Sequence, residues 1–184
     1  MSKRIAFLTA AAFGALALTA TVVPPVSAQE KTVMVGGAAM FPSRNIIQNA
    51  VNSKDHTTLV AAVKAAGLVD TLEGKGPFTV FAPTNAAFGK LPAGTVDTLV
   101  KPENKATLTK ILTYHVIPGK LEASDLGDGR KLKTVEGEEL TVKKADGKVM
   151  IVDAKGGTAT VTISNVNQSN GVIHVIDTVL MPAS

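Results

Sequence analysis

The sequence of 184 residues contains no cysteine and no tryptophan. Without cysteine, the chain cannot form disulfides, thiolate metal ligands or a cysteine nucleophile. A domain of roughly 150 residues buries about 70% of its unfolded surface, so a core without disulfides is feasible. The hydrophobic content of 45% is typical of a globular fold rather than of a disordered chain.

The sequence also lacks a large excess of charge of either sign. The formal net charge is +4, but Lys3 and Arg4 fall within residues 1–28, a segment that contains no acidic residue. The rest of the chain carries 17 basic and 15 acidic side chains, a net charge of +2. This balance argues against nucleic acid and against an anionic membrane surface as partners.

Residues 1–28 have the layout of a secretory signal. A basic start precedes the uncharged run Ile5–Val23, and Pro24-Pro25 then breaks any helix. Val26-Ser27-Ala28 offers small side chains to a signal peptidase, which predicts Gln29 as the mature start. A retained anchor is the alternative, because 19 uncharged residues just reach the length that spans a bilayer. The cleavage site favours removal, so we expect a periplasmic or secreted protein with no membrane insertion of the mature chain.

The remainder of the sequence predicts one domain, since no repeat or linker interrupts it. Residues 29–42, which include Gly36-Gly37, are predicted to be a flexible lead-in, and residues 43–184 a single domain. Apolar residues recur at helical spacing in the first half, and Ser43 is the predicted cap of the first helix. From Lys131 onward, short β-branched segments alternate with Asp-Gly, Gly-Gly and Asn-Gly turns. Helices followed by a strand meander predict an α+β fold with an antiparallel sheet.

Three segments carry a distinctive pattern of aromatic, proline and histidine residues. They are GPFTVFAPTNAAF at residues 76–88, LTYHVIPG at residues 112–119 and NGVIHVIDTVLMP at residues 170–182. In their order and spacing they resemble the signature blocks of the fasciclin (FAS1) family, over about Asn45 to Pro182. The resemblance implies a wedge of two antiparallel β-sheets with packed helices. It also implies a role in adhesion or envelope interaction, with no catalysis, and we expect no cofactor.

Several residues in these blocks are predicted to be structural. Residues 78–82 alternate between two faces, and Pro83 ends the strand before a helix cap. His174 lies on an apolar strand with Asp177 three residues on, so a base with its orienting carboxylate is the catalytic alternative. We favour a buried, hydrogen-bonded histidine, because no nucleophile motif accompanies the pair. The predicted structural set is Phe78, Phe81, Pro83, Thr84, Asn85, Phe88, Gly171, His174 and Asp177.

The candidate binding residues are Tyr114 and His115, together with Asn165 and Val166. The resemblance associates the Tyr-His segment with integrin binding in animal relatives, which also carry an Asp-Ile pair before the last block. That pair falls on Asn165-Val166 here, so its carboxylate is missing. The missing carboxylate argues against a metal-dependent contact, and a core role for Tyr114 and His115 is the favoured alternative.

No metal site is predicted from the acidic residues. Asp125 to Asp128 and Glu136 to Glu139 place carboxylates close together in the sequence. Neither segment has the alternating oxygen ligands and distal glutamate of a calcium loop. Solvated, charged turns are therefore the interpretation we favour for both.

Three functional hypotheses follow from these patterns. The first is a non-catalytic module that binds a cell-surface or matrix protein, a polysaccharide or a second copy of itself. The second is a periplasmic structural or stress-response protein with one dedicated protein partner. The third is a hydrolase that uses His174 or His115, which the missing nucleophile motif disfavours.

Overall fold

The computed structural model describes residues 31–183, so the predicted secretory signal lies outside the described residues. The helices are α1 (Ile46–Ala50), α2 (Thr57–Ala66), α3 (Val69–Glu73), α4 (Asn85–Gly89), α5 (Thr95–Leu99) and α6 (Lys105–Tyr114), with 3₁₀ turns at Lys54–His56 and Pro102–Asn104. The strands are β1 (Val33–Val35), β2 (Ala38–Met40), β3 (Phe78–Pro83), β4 (Val116–Pro118), β5 (Lys131–Lys133), β6 (Glu139–Ala145), β7 (Lys148–Val152), β8 (Thr158–Gln168) and β9 (Gly171–Ile176). The predicted α+β class is confirmed.

Seven strands form one strongly curved sheet in the order β4-β3-β9-β8-β7-β6-β5. The two edges of this sheet meet where the Val135 amide donates to the Val116 carbonyl over 2.8 Å, which closes the wedge. β3 and β9 pair in parallel, from Phe78 opposite Gly171 to Pro83 opposite Ile176. The expectation of wholly antiparallel sheets is corrected at this pair. Parallel pairing needs a long crossover, which local turn signals do not reveal.

The central strands β3 and β9 separate two apolar cores. Val80 and Ala82 pack into a core under the helices, whereas Phe81 points into a second core inside the wedge. β9 follows the same division, with Ile173 and Val175 on the helix side and Ile176 inside the wedge. Because both faces of these strands are covered, their sequences are almost continuously apolar.

Residues 33–40 correct the prediction of a flexible lead-in. β1 and β2 form an antiparallel hairpin in which Val33 lies opposite Met40. The turn consists of Gly36 and Gly37, with φ of 55° and 76°, a backbone conformation that suits two-residue hairpins. Val35 and Met40 are both buried in the helix-side core. The glycine pair is therefore a turn signal rather than a mark of flexibility.

The first helix begins later than the prediction placed it. Asn45, not Ser43, is the cap: its Oδ1 accepts from the Gln48 amide at 2.8 Å, and Gln48 Oε1 accepts from the Asn45 amide at 3.1 Å. This reciprocal capping box satisfies two amides at the helix start. Asn170 adds a further tie, because its Oδ1 accepts from the Ile46 amide and its Nδ2 donates to the carbonyls of Leu72 and Gly74.

The hairpin makes a testable contribution to stability. Met40→Ala is expected to lower the free energy of unfolding by about 2–4 kcal/mol, because Met40 is only 3% exposed and its loss leaves a cavity. Met34→Ala, on the same hairpin but at a position that is 60% exposed, should change it by less than about 0.5 kcal/mol. Urea unfolding of both variants measures the difference. Equal values for the two would mean that the hairpin is not docked.

Candidate interaction site

Tyr114 ends α6 and anchors it to the distant part of the sheet. The helix buries Leu108, Ile111 and Leu112 in the helix-side core, whereas Tyr114, its last residue, lies in the wedge core. The phenol oxygen accepts from the Ala154 amide at 2.9 Å and donates to the Glu139 carbonyl at 3.4 Å. Desolvation by burial raises the pKa of Tyr114, so the hydroxyl stays protonated and able to donate.

His115 joins α6 to the chain segment that follows β9. Its Nδ1 donates to the Ile111 carbonyl at 2.8 Å, and its Nε2 accepts from the Leu180 amide at 3.0 Å. A carbonyl only accepts and an amide only donates, so the proton is on Nδ1. Burial lowers the pKa of His115 from its ordinary 6.5 to about 4. The imidazole is neutral at pH 7 with both ring nitrogens occupied, which leaves no atom to act as a base.

His174 is held in a similar way on β9. Its Nε2 donates to the Leu121 carbonyl at 2.8 Å, its Nδ1 accepts from the Asn165 amide at 3.3 Å, and its ring stacks on Phe81 at 5.7 Å between centroids. Burial lowers the pKa of His174. Asp177 instead accepts from the Thr160 amide and the Thr178 hydroxyl. The two side chains form no hydrogen bond with each other, so the catalytic alternative for this pair lacks its geometry.

Asn165 lies at an irregularity of β8. The register between β8 and β9 shifts between Ile163 and Val166, and Asn165 adopts a positive φ of 56°. Asparagine tolerates this conformation better than most residues. Its Oδ1 accepts from the Ala123 amide at 2.7 Å. The bulge thus turns a strand residue toward the segment that follows β4.

Thr79 completes the support of that segment, which we call the 119–125 loop. The Thr79 hydroxyl donates to the Gly119 carbonyl at 2.6 Å and accepts from the Leu121 amide at 2.8 Å. Together with Asn165 and His174, it fixes four backbone groups of the loop. Thr79 is not among the residues predicted from the sequence. A threonine between apolar residues of a buried strand was the available signal, since buried hydroxyls require partners.

The candidate binding residues do not form an exposed surface. Tyr114, His115 and Val166 are all buried, so a partner cannot contact their side chains in the folded domain. This corrects their place among candidate contacts: aromatic and apolar groups here fill the two cores. Asn165 is half-buried and faces the loop. The exposed residues of this region are Pro118, Lys120, Ser124 and Asp125.

The remaining predicted structural residues position helices and strands. Thr84 caps α4 by accepting from the Ala87 amide at 3.2 Å, after Pro83 ends β3. The Asn85 side chain contacts a different helix: it accepts from the Thr58 amide and donates to the Lys54 carbonyl, which connects α4 to the start of α2. Phe88 is buried in the helix-side core and Phe78 is half-buried beside it. Gly171 lies where β9 runs directly against the β3 backbone at Phe78.

Two negative findings apply to residues 31–183. In this part of the chain, no three histidine, aspartate or glutamate side chains are grouped closely enough to hold a metal ion. Among the helices described here, none combines the length and the apolar composition needed to cross a bilayer.

These features define a fasciclin-type module: a closed wedge with helices on one side and, under the 119–125 loop, a polar frame made of Thr79, Asn165 and His174. A model of the fasciclin domain matches residues 54–182, and the chain belongs to the fasciclin family. It is 48% identical over 181 residues to protein sll1483 of Synechocystis, covering 98% of this chain and 97% of that protein. It is 36% identical over 202 aligned positions to the immunogenic protein MPB70 of Mycobacterium bovis, covering 99% of this chain and 98% of that protein.

Two further similarities are to a mycobacterial protein and to a solved structure. The cell surface glycolipoprotein MPB83 of Mycobacterium bovis is 42% identical over 153 residues, with 80% of this chain and 64% of that protein covered. A solved structure of a FAS1 domain pair from the insect cell adhesion molecule fasciclin I superposes with a TM-score of 0.68 at 20% identity. That match covers 77% of this chain and 52% of the other. It shows that the fold is shared.

Proposed function

We propose that the protein is a non-catalytic, extracytoplasmic adhesion module that uses the 119–125 loop to contact a surface or matrix component. Membership of the fasciclin family supports this proposal, as do the similarities to a cell surface glycolipoprotein and to a cell adhesion molecule. The secretory layout of residues 1–28 supports a location outside the cytoplasm.

The observation that carries the proposal is the polar frame under the loop. The buried hydroxyl of Thr79, the buried imidazole of His174 and the half-buried amide of Asn165 each bond to the loop backbone. Such groups are costly to bury unless every partner is in place, so they fix one backbone conformation. Loops that a rigid scaffold holds in this way are common binding elements. The side chains of Lys120, Ser124 and Asp125 remain exposed and available.

A bead assay tests this function. Beads coated with the protein are mixed with whole cells and with matrix polysaccharide, with and without EDTA, and attachment is counted. We expect attachment that survives chelation, since no metal ligand group is found in residues 31–183. One domain supplies one weak contact, so dense display on the bead is needed.

A matched pair of variants tests the loop. Thr79→Val removes both hydrogen bonds of a buried threonine, costs about 1–3 kcal/mol locally, and should lower attachment severalfold. Thr113→Val also removes a threonine hydroxyl, but one that donates only within α6, and should leave attachment unchanged. Equal attachment by both variants would contradict a role for the loop. Absence of attachment by the wild type would contradict adhesion and favour the single-partner alternative.

A further inference from the structure

The strands β5 to β8 present one face to solvent, and this face is distinct from the 119–125 loop. Leu132 on β5, Leu140 and Val142 on β6, and Ile151 on β7 all point into the wedge core. Alternate residues of a strand point to opposite sides, so the residues between them face outward. We call this surface the outer face.

Four exposed lysines cross the outer face in a diagonal row. Lys131 and Lys133 lie on β5, Lys143 on β6 and Lys148 on β7. Lys131 of β5 is opposite Thr141, two residues before Lys143 on β6. Lys143 is in turn opposite Met150, two residues after Lys148 on β7. In the order Lys133, Lys131, Lys143 and Lys148, each lysine is therefore displaced by two residues from the one before it, on the same strand or on the next. Ideal strand geometry places successive Cα atoms about 7–8 Å apart and the ends about 20 Å apart.

The charge of this row is largely uncompensated. Lys131 pairs with Glu139 at 3.5 Å, and both side chains are well exposed. Lys133, Lys143 and Lys148 form no ion pair with any residue of the described chain. Across β5, β6, β7 and residues 158–162, Glu139 is the one outward carboxylate, and Asp146 lies in the turn beside Lys148. The outer face thus concentrates positive charge on a chain that is nearly balanced overall.

We propose that the lysine row binds an acidic polysaccharide, whose repeated carboxylate or sulfate groups lie along the row. The inference rests on the proposed function and names a partner class and a second contact surface for it. Lysines are flexible point charges, which suits a polymer with repeated anions and no fixed geometry. The threonine hydroxyls at positions 141 and 160 lie beside the row and offer hydrogen bonds to sugar hydroxyls. A single-stranded nucleic acid would need stacking platforms, and the outer face carries no aromatic residue.

The test compares two triple variants of equal charge. One replaces three lysines of the row (K133Q, K143Q and K148Q), and the control replaces three exposed lysines on the helical side (K64Q, K101Q and K105Q). Binding of the full protein to immobilised polygalacturonate and dextran sulfate is measured across a salt series, with neutral dextran as a blank. We expect the row variant to bind about tenfold more weakly, with a shallower salt dependence, and the control to change less than about twofold.

The possible outcomes of this binding test either support or overturn the proposed polysaccharide site. Equal losses in both variants would mean that only net charge matters. Tighter binding to single-stranded RNA than to either polymer, lost in the row variant, would assign the face to nucleic acid. Retention on one of the two polymers alone identifies carboxylate or sulfate as the ligand and supports the proposal. Absence of polymer binding, with attachment of coated beads to cells intact, would sink this inference and leave the adhesion function standing.

Discussion

Gly171→Ala is expected to abolish the native fold. Gly171 begins β9 and lies opposite Phe78 in the parallel pair with β3. A Cβ atom at this position would overlap the Phe78 carbonyl oxygen and lie 2.9 Å from the carbonyl carbon. Both are backbone atoms of a strand held on two sides, so neither can move away without breaking the central pairing. We expect a cost above about 4 kcal/mol, a large fraction of the stability of an ordinary domain.

Gly89→Ala is the matched control for this substitution. Gly89 ends α4, and a Cβ atom added there would meet no other atom within 4 Å. Alanine also restricts the unfolded chain, so this variant should be neutral or slightly stabilised. Circular dichroism and thermal unfolding of the two variants give the comparison. A Gly171→Ala protein that melts within a few degrees of the wild type would contradict the close approach of β3 and β9.

Stability should fall as the pH is lowered from 6.5 toward 4. The pKa of His115 is about 4 in the folded state and 6.5 when unfolded, so between these values the unfolded chain binds more protons. The contribution of the neutral His115 to the free energy of unfolding is complete above pH 6.5 and is lost progressively below it. The difference between the two pKa values corresponds to about 3 kcal/mol of stability. Burial also lowers the pKa values of His56 and His174, which act in the same direction.

The contribution of His115 is measured by comparing two pH profiles. Urea unfolding of the wild type and of His115→Gln is recorded from pH 7.5 to pH 4. The variant loses at least one of the two hydrogen bonds of the imidazole, so it should be less stable at pH 7. Its profile should also be flatter, because it has no imidazole to protonate, while carboxylates contribute equally to both proteins. Parallel profiles would show that His115 is not held neutral in the folded state.

Local features of the fold could be predicted where residue type alone determines structure. Pro83 cannot continue a central strand and Thr84 can satisfy a helix amide, so the end of β3 and the start of α4 follow from the sequence. The hairpin at residues 33–40 was missed because two glycines fit both a tight turn and a loose segment. The pairing of Val33 with Met40 and the burial of Val35 and Met40 distinguish the two interpretations.

The site was harder to predict because exposure is a property of the assembled domain. Tyr114 and His115 have residue types that often bind partners, yet α6 directs both into the interior. The lysine row shows the reverse case: Lys133, Lys143 and Lys148 look like scattered solvated positions in the sequence. They become neighbours only through the register of three strands, which no local pattern specifies.

Attachment of coated beads to cells shows whether adhesion depends on the folded domain. Beads are coated at equal density with the wild type, with Gly89→Ala and with Gly171→Ala. The wild type and Gly89→Ala should attach equally, and Gly171→Ala, which lacks the wedge, should fall to the level of uncoated beads. Equal attachment by all three, or by none, would contradict the claim that the folded fasciclin domain is the adhesive unit.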